Sequence, residues 1–373
     1  MLRGVMHLAA RLPLYHLQRS LGASWLLPAS YTVSVLHECN SRCKTCRVYQ
    51  RPVRPMTAKQ IERFARSVDQ PALWLTVTGG EPFLRADLDE VVDLMVRHLG
   101  VRVVTLPTNG SLPGRLVALE RLASAWPARR FVVNLSLDEL GPRHDELRGH
   151  PGVWSLALES LAELRRLQRQ RANITVGIHT VISRFNEDRF PAICDALLAL
   201  APDSYIVEVA GQRAELGNDQ LEILPSAEGW RAAIAHLGER LARAPASRMG
   251  RLVRPLRAAY YRDVDRQLSG RAAAAPCFAG TASCHILPDG EVVACGVRSQ
   301  RLGHLAATGY SFPAIWRGPE ARQARRAIAA QGCRCTLANQ AYLRLALDPA
   351  ALMRIAGGVL VGPVAARLRR LRP

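Results

Sequence analysis

Residues 31–46 read YTVSVLHECNSRCKTC, a β-rich run followed at once by three cysteines in the pattern Cys-x3-Cys-x2-Cys. The cysteines are Cys39, Cys43 and Cys46. Three thiols at this spacing predict a compact loop wrapped around one metal centre. A cubane iron–sulfur cluster normally takes four cysteine ligands, and no fourth lies nearby, so one iron would stay open for another ligand. The alternative is a zinc knuckle that uses His37 as its fourth ligand.

The β-rich run is the first of six that alternate with helical patterns. The runs are Tyr31–Leu36, Leu73–Thr78, Val101–Leu106, Phe131–Leu137, Ile174–Ile182 and Tyr205–Val209, and the helical patterns lie near 57–68, 85–98, 112–125, 153–170 and 187–199. This alternation predicts βαβ units and a parallel sheet buried on both faces. A closed eight-unit barrel would need about two more units. We therefore expect an α/β fold built on an open, partial (β/α)6 barrel.

The composition is that of a globular chain with ample apolar material for a core. Of the 373 residues, 49% are hydrophobic and 22% are charged, a balance that excludes a disordered chain. No apolar run reaches the roughly 18 residues that a membrane-spanning helix needs. The longest run, Ile355–Ala366, is too short to cross a bilayer.

The formal net charge of +19 comes almost wholly from arginine, because Lys44 and Lys59 are the only lysines. We interpret this charge mainly as solvated surface. It leaves open one alternative function, a Cys-rich metal-binding, nucleic-acid-binding protein without enzymatic activity. The sequence has no basic, aromatic-interleaved stripe and no known reader motif, which argues against nucleic acid as a partner.

Both ends of the chain read as basic amphipathic helices. Residues 1–20 carry three Arg and no acid, with a break expected at Pro13, and residues 354–373 carry five Arg and no acid. Such helices suit an anionic membrane surface or packing against the barrel. Because the N-terminal stretch does not have the form of a secretory signal, we expect a cytoplasmic protein. A peripheral place on the inner face of the membrane is the alternative.

Changes of rhythm along the chain predict five segments. They are a basic amphipathic N-terminal segment (1–29), the partial barrel (30–225), a helical bridge broken at Pro245 and Pro255 (226–275), a small Cys-rich α+β domain (276–340) and a basic amphipathic C-terminal helix (341–373). In the fourth segment, Pro288-Asp289-Gly290 between two β-rich runs predicts a hairpin. Cys194, on a predicted helix, is expected to be a buried core thiol.

Further motifs follow the second, third and fourth predicted strands. They are Thr78-Gly79-Gly80-Glu81-Pro82, then Thr108-Asn109-Gly110, then Ser136-Leu137-Asp138 with His144-Asp145 and Arg148-Gly149 beyond it. Together with the cysteine triplet, and in this order, these motifs resemble those of the radical S-adenosylmethionine (SAM) superfamily over about residues 30–210.

The resemblance implies a radical SAM enzyme of the oxidoreductase or transferase type. A 4Fe–4S cluster on the triplet would bind SAM at its open iron and cleave it reductively to a 5′-deoxyadenosyl radical. The radical would abstract hydrogen from an unidentified substrate, either a peptide or a small-molecule natural product, with a lipid or isoprenoid also open. A donor such as flavodoxin or ferredoxin would supply the electron.

The resemblance also implies which residues contact SAM. They are Gly79, Gly80, Glu81, Pro82, Asn109, Ser136 and Asp138. The glycines would let the backbone approach the methionine moiety, and Glu81 would accept from its ammonium group. A helix-cap role stays open for Ser136 and Asp138, and a turn role for Asn109.

Two further residues around this site carry expectations of their own. Arg148 is expected to be one surface charge among many, with a pairing to the methionine carboxylate as the alternative. The family usually has an aromatic residue just before the third cysteine, where this chain has Thr45. Adenine would then be contacted by Tyr49 or by the backbone.

The cysteines after residue 276 resemble the start of a SPASM or twitch domain, which carries auxiliary iron–sulfur clusters. Two such clusters would need about eight ligands, and five cysteines are present, so we expect one auxiliary 4Fe–4S cluster of the twitch type. Its implied ligands are Cys277, Cys295, Cys333 and Cys335. Cys284 is an alternative ligand or a strand residue of the hairpin, and a structural zinc site is the competing interpretation.

Four polar residues near the ends of the fifth and sixth predicted strands face the expected active site. They are His179, Glu208, Gln212 and Arg213. Each could contact SAM or substrate, and each could equally be a satisfied polar group at the barrel rim.

Overall fold

One sheet of nine strands organises the molecule. The strands are β1 (Ser30–Ser34), β2 (Trp74–Thr78), β3 (Val103–Thr108), β4 (Arg130–Ser136), β5 (Ile174–Ile182), β6 (Ser204–Val209), β7 (Ser283–Ile286), β8 (Glu291–Val293) and β9 (Arg301–His304). Their order across the sheet is β6-β5-β4-β3-β2-β1-β7-β8-β9. Strands β1 to β6 are parallel, each paired with its sequence neighbour. Because β6 and β9 do not pair, the sheet is an open, partial barrel, as the alternation of strands and helices predicts.

This is a computed structural model that describes residues 2–243, 248–330 and 335–353, with side chains from residue 11 and not for 248–253. Its helices are α1 (Leu2–Leu21), α2 (Ala58–Ser67), α3 (Leu88–Leu99), α4 (Val117–Ala125), α5 (Gly141–Arg148), α6 (Val153–Gln170), α7 (Phe190–Ala199), α8 (Ala227–Arg243), α9 (Arg248–Leu268), α10 (Phe312–Trp316), α11 (Pro319–Ala330) and α12 (Ala338–Leu347). Cys333, Pro245 and the predicted helix beyond residue 353 lie outside the described residues.

The six predicted barrel strands are all present, with boundaries that shift by up to two residues. Their interior positions are apolar and buried, as in Val33, Leu75, Val104 and Val133 at 1% exposure or less. Helices α2 and α3 lie side by side on one face of this sheet, and α2 begins with a capping box between Thr57 and Gln60. The parallel strands are therefore covered, which is why their sequences are apolar almost throughout.

Three helical features differ from the sequence-based expectation. Helix α1 continues through Pro13, and α9 continues through Pro255, where breaks were expected. A proline removes one helical hydrogen bond, and beyond Pro13 the fully buried Tyr15 and Gln18 hold α1 against the rest of the chain. Helix α5 was not predicted, because its eight residues carry almost no apolar face.

The sheet continues across the predicted boundary near residue 276. Strand β7 pairs in parallel with β1, and β8 and β9 then add in antiparallel fashion. The predicted hairpin at 286–293 is therefore present, and it extends the barrel sheet. Cys284 lies in β7 opposite Tyr31, at 1% exposure, and so takes the strand position that the sequence left as one of its two alternatives.

Among the described residues, no helix combines the length and apolarity that a membrane crossing would require. This agrees with the absence of a long apolar run from the sequence.

Candidate functional site

The three clustered cysteines lie on the loop that leaves β1 at the carboxyl edge of the parallel strands. All three side chains are partly exposed, and none forms a disulfide. The thiols lie within electrostatic range of one another, since Cys39 and Cys43 both raise the pKa of Cys46. The loop thus presents three sulfur donors to one shared region, as the spacing predicts.

The separation of these sulfur atoms suits a cluster better than a single ion. Tetrahedral zinc would bring thiolate sulfurs to about 3.8 Å from one another. Among the described residues, the one group of three metal-binding atoms within 4.8 Å of one another is Cys194, Asp195 and His236. The triplet is more widely spaced, and His37 does not complete a compact set with it. A cubane of four irons is larger than one ion and needs this wider donor spacing.

In the compact group of Cys194, Asp195 and His236, the carboxylate already pairs with neighbouring side chains. One oxygen of Asp195 lies 2.8 Å from His236 Nε2 and 2.9 Å from Arg240 Nε. Cys194 beside it is fully buried, which confirms the expectation of a core thiol.

Burial raises the pKa of the Cys39 thiol to about 11 and that of the Cys46 thiol to about 12. Thiolates are the ligand form, so these groups are protonated at neutral pH unless a cationic centre stabilises the charge. The Cys39 and Cys46 thiols therefore fit an iron centre, which displaces the protons when it binds.

Gly79 and Gly80 accommodate the backbone that enters the cysteine loop. A Cβ at Gly79 would overlap the Leu36 carbonyl oxygen, and one at Gly80 would overlap the Glu38 carbonyl oxygen. Gly79 also has φ +140°, a conformation that L side chains rarely adopt. The Gly80 amide donates to Leu36 at 2.9 Å. The resemblance implies that SAM approaches these glycines closely. In this structure the backbone of Leu36 to Glu38 makes that close approach.

Glu81 ties the ends of β2 and β3 together. Its carboxylate accepts from Thr108 Oγ1 at 2.8 Å, Phe83 N at 3.1 Å and Asn109 N at 2.7 Å. Burial raises the pKa of this carboxyl to about 7 against these stabilising bonds. A carboxylate offers about four acceptor positions, so three of them are used within the chain. The Glu81 amide donates to Glu38 at 2.9 Å, again on the cysteine loop.

Asn109 fastens the middle of the cysteine loop to the end of β3. Its side-chain amide donates to Asn40 Oδ1 at 2.9 Å and Ser41 Oγ at 3.1 Å, both between Cys39 and Cys43. Its oxygen accepts from Ser111 N at 2.9 Å. Asn109 thus acts as a turn residue, as the sequence allowed, and also forms hydrogen bonds with the cysteine loop.

Arg148 is buried, which corrects the expectation of a surface charge. Its side chain is 12% exposed and lies 2.8 Å from Asp138, which is 6% exposed. A second nitrogen of the guanidinium lies 3.9 Å from Cys43 Sγ. Burial lowers the pKa of Arg148, but Asp138 and Cys43 outweigh it and raise the pKa above its ordinary value.

The same region of α5 supports the loop through its backbone. The Leu147 carbonyl accepts from the Lys44 backbone amide at 2.9 Å, and the Arg148 carbonyl accepts from the Arg42 backbone amide at 2.8 Å. A Cβ at Gly149 would overlap the Arg42 carbonyl oxygen. Arg148 and Gly149 therefore lie where the cysteine loop packs against the end of α5.

Asp138 is engaged on both oxygens. One pairs with Arg148 and the other accepts from Val181 N at 2.8 Å. Ser136, which ends β4, is half-buried and lies opposite His179 in the neighbouring strand. Pro82 starts a short 3-10 helix after Glu81 and is buried. Ser136 therefore lies partly exposed at the end of β4.

Tyr49, proposed as an adenine contact, has the Arg42 guanidinium 4.2 Å from its ring centroid. Its hydroxyl accepts from Arg47 at 3.0 Å. The neighbouring backbone at Thr45 accepts from Asn218 Nδ2 at 2.8 Å. Tyr49 and the Thr45 carbonyl thus already contact other groups of the chain.

The segment after β6 bridges the two groups of cysteines. Leu216 accepts from Arg47 N on the first cysteine loop at 2.9 Å. On its other side, Ala214 and Glu215 donate to Val297 and Gly296 at 3.1 Å each, immediately after Cys295. The triplet and the C-terminal cysteines therefore share one connecting loop.

A chain of largely buried polar and charged side chains runs through this region, joined in the middle by Arg213 and Glu215 at 3.9 Å. Glu208 lies 3.2 Å from His179 and 2.5 Å from Arg213, and His285 lies 2.7 Å from Glu215. Burial raises the pKa of Glu208, but Arg213 and His179 outweigh it and bring the pKa to about 2. The carboxylate also accepts from Ala338 N at 3.0 Å, at the start of α12. Charged groups at so low an exposure are stable only because they are paired.

The sequence identified His179, Glu208 and Arg213 as candidates, and they do meet. Gln212 is exposed and donates to Leu221, away from the charged chain. Glu215 and His285 were missed, because they lie on elements that the long-range pairing of β7 with β1 brings together. The Ser34 hydroxyl, 2.8 Å from His285 Nε2, was missed for the same reason.

Two of the C-terminal cysteines lie near this connecting loop, Cys295 just before Gly296 and Cys335 near Arg213. Cys295 and Cys335 are buried at 6% and 5% exposure, and Cys277 is half-buried. Burial lowers the pKa of Arg213, and the charges of Glu208 and Glu215 raise it. The charge of Cys335 raises this pKa further. Cys335 therefore lies close to the buried charges. Cys333, the fourth predicted ligand, is outside the described residues.

Two family profiles match this chain. The one described as the Radical SAM superfamily matches residues 33–197, and one described as an iron-sulfur cluster-binding domain, SPASM, matches residues 277–336. The first covers the strands and loops that carry Cys39 to Asp138. The second begins at Cys277 and ends just after Cys335.

Two curated proteins illustrate the sequence similarity. The AdoMet-dependent heme synthase of Oleidesulfovibrio alaskensis is 27% identical over 312 residues, covering 77% of this chain and 74% of that protein. The GTP 3',8-cyclase of Stenotrophomonas maltophilia is 31% identical over 174 residues, covering 44% of this chain and 50% of that protein. The chain thus spans about three quarters of the first relative and half of the second.

Among solved structures, Streptococcus suis SuiB bound to its precursor peptide SuiA superimposes with a TM-score of 0.58 at 15% identity. The match covers 82% of this chain and 67% of SuiB. At this identity the likeness concerns the fold alone.

Gly80→Ala should destabilise the cysteine loop. The new Cβ would overlap the Glu38 backbone, and overpacking of this kind costs about 1–3 kcal/mol. Urea unfolding of the purified chain measures the loss. Gly114→Ala is the matched control, because a Cβ there meets nothing within 4 Å. Equal stability of the two variants would show that the loop moves aside without cost.

Asp138→Ala should cost about 3–5 kcal/mol of unfolding free energy, because it leaves the buried Arg148 charge without its partner. The control is Glu222→Ala, which removes an ion pair with Arg184 whose side chains are 51% and 88% exposed, and it should leave the urea midpoint unchanged. If both variants unfold at the wild-type midpoint, the buried pair contributes nothing to the fold.

Proposed function

We propose a function for this chain from one premise: it belongs to the radical SAM superfamily and carries a C-terminal iron–sulfur SPASM domain. Its cofactors are accordingly 4Fe–4S clusters and SAM. We propose that it is an enzyme that cleaves SAM reductively and abstracts hydrogen from a peptide or a small-molecule natural product. The observation that supports this proposal most is that Gly80, Glu81, Asn109 and Arg148 all contact the cysteine loop and fix its position.

Cys39, Cys43 and Cys46 would hold the SAM-binding cluster. Three thiol ligands leave one iron of a cubane without a protein ligand. When bound and reduced, this cluster supplies the electron that breaks the sulfonium bond of SAM and yields the 5′-deoxyadenosyl radical. The chain's own contribution is to fix the three thiols in place and to set a positive charge, Arg148, beside Cys43.

The SAM contacts expected from the sequence divide into two kinds. Gly79, Gly80 and Asn109 act on the cysteine loop, so they would position SAM by fixing the loop backbone. Ser136, at the end of β4, and the remaining acceptor position of Glu81 are the groups that would meet SAM directly. Asp138 would act through Arg148, since both of its oxygens are engaged.

The substrate would lie between the two groups of cysteines, beside the buried chain of charges. His179, Glu208, Arg213 and Glu215 offer paired polar groups there, which favours a substrate with polar or charged functions. SuiB is described as bound to a precursor peptide, and the two curated relatives are named for heme and GTP chemistry. A peptide or a polar small molecule therefore fits better than an isoprenoid, which remains the alternative.

Cys277, Cys295, Cys333 and Cys335 would hold one auxiliary cluster. Its place on the far side of the 211–218 segment suits an exchange of electrons with a substrate between the two centres. An electron donor such as flavodoxin or ferredoxin would reduce the enzyme.

Replacing Cys39, Cys43 and Cys46 together by Ala should remove one cluster and all SAM cleavage, because these three thiols are the proposed ligands of the SAM-binding cluster. Iron and sulfide content and 5′-deoxyadenosine formation under dithionite measure both effects. Cys194→Ala is the matched control, a buried thiol far from the loop, and should keep both. Cleavage of SAM by the triple variant would refute the proposed function.

Replacing Cys277 and Cys295 by Ala should roughly halve the iron while SAM cleavage persists, because the radical arises at the first cluster. Cys284→Ala is the control and should keep all its iron, since Cys284 lies buried in β7. Circular dichroism separates lost metal from lost fold. Unchanged iron in the double variant, or zinc in its place, would contradict an auxiliary cluster at these residues.

A further inference from the structure

Every second residue of β4 points into the lumen of the open barrel. The residues between them are fully buried, and they are Phe131, Val133 and Leu135. Leu135 marks the helix side of the strand, because a Cβ at Gly110 would overlap both Leu135 and Ala157 of α6. Successive side chains of a strand point to opposite faces of the sheet. Asn134 and Ser136 therefore face the lumen.

Asn134 lies deeper in this lumen than Ser136, which is proposed to meet SAM. It precedes Ser136 by two residues, which places it about 6–7 Å further from the carboxyl edge of the strand. The register pairs Ser136 with His179 of β5, and it pairs Asn134 with Gly177. Because residues paired in a parallel register point to the same face, His179 shares the lumen with Asn134.

The Asn134 side chain is buried without a hydrogen bond for its oxygen. The residue is 9% exposed, and its Oδ1 has no hydrogen-bond partner among the residues that the structure describes. The carboxamide lies over Gly177, where an added Cβ would come within 2.5 Å of Oδ1. Native chains hold few such groups. The chain therefore keeps a carboxamide at this position at a cost to its stability.

Neighbouring polar side chains on the same face are engaged within the chain. Thr105 of β3 accepts from Trp74 Nε1 at 3.0 Å, and His179 Nε2 lies 3.2 Å from Glu208. Glu208 also pairs with Arg213 at 2.5 Å. The charged groups that β5 and β6 turn to this face are therefore balanced against one another and do not attract an anion.

We propose that Asn134 binds the substrate, through hydrogen bonds between its carboxamide and an uncharged amide or hydroxyl group of the substrate. The terminal torsion of Asn is two-fold, so either Oδ1 or Nδ2 can turn from Gly177 toward the lumen. Amide and hydroxyl groups both donate and accept, and so match a carboxamide. A phosphate or carboxylate only accepts, and would leave Oδ1 without a donor. The inference rests on the proposed function, which places the substrate beside His179 and Glu208.

The first test follows the side-chain amide of Asn134 by NMR in the full-length, anaerobically purified chain. Its NH2 signal is the one that Asn134→Leu lacks. N-Methylacetamide and propan-2-ol are the probes, and sodium acetate is the anionic control. We expect a saturable shift with N-methylacetamide for an amide-bearing substrate, or with propan-2-ol for a hydroxyl-bearing one, and none with acetate. The Asn186 signal is the matched control and should stay in place, because this side chain already donates to the Asp138 and Val181 carbonyls.

The second test is the stability of the same chain in urea. Asn134→Leu keeps the size of the side chain and removes the unpartnered amide, so the urea midpoint should rise. Asn186→Leu makes the same exchange at a fully buried Asn whose hydrogen bonds are formed, and it should lower the midpoint. If the leucine variant at Asn134 does not fold, Asn134→Ala assigns the NMR signal in its place.

Two results would overturn the proposal. One is an Asn134 signal that neither probe shifts or that acetate shifts more strongly, and the other is an Asn134→Leu midpoint that falls as far as that of Asn186→Leu. The 5′-deoxyadenosine that the wild type forms under dithionite tests the proposed function separately. A wild type that forms none while its Asn134 signal responds contradicts the proposed function alone. One that cleaves SAM while the Asn134 signal is unresponsive contradicts this inference alone.

Discussion

Close backbone packing between the end of β2 and the entry to the cysteine loop is the constraint on which the site depends. The Gly79-Gly80 pair lets the Leu36 to Glu38 backbone approach to hydrogen-bonding distance, where any Cβ would collide with a carbonyl oxygen. Glu81 then joins this point to β3 through Thr108 and the Asn109 amide. The three thiols are thereby held by the sheet edge and not by a free loop.

Buried ion pairs complete this support from the other side of the loop. The Asp138–Arg148 pair places a cation next to Cys43, in an environment where that charge is poorly screened. The second set, from His179 to His285, lies between the two groups of cysteines. Breaking such pairs is costly because one charge stays buried. Both sets therefore serve stability and set the electrostatic surroundings of the proposed centres.

The pairing of β7 with β1 makes the two cysteine regions one unit. Because β1 leads directly into the triplet and β7 leads to Cys295, their register fixes how the two regions face each other. The 211–218 segment adds hydrogen bonds to both. A substrate placed between the proposed clusters would therefore meet a rigid, charged wall built from β5, β6 and this segment.

The sequence by itself determined the six parallel strands, the open barrel, the cysteine triplet and the motifs at the strand ends, because each is encoded by local periodicity or spacing. It also identified His179, Glu208 and Arg213. Only the tertiary structure decided what these motifs touch. The burial of Arg148, the use of both glycines against Leu36 to Glu38, and the joining of Glu215 to His285 all depend on contacts between residues far apart in sequence.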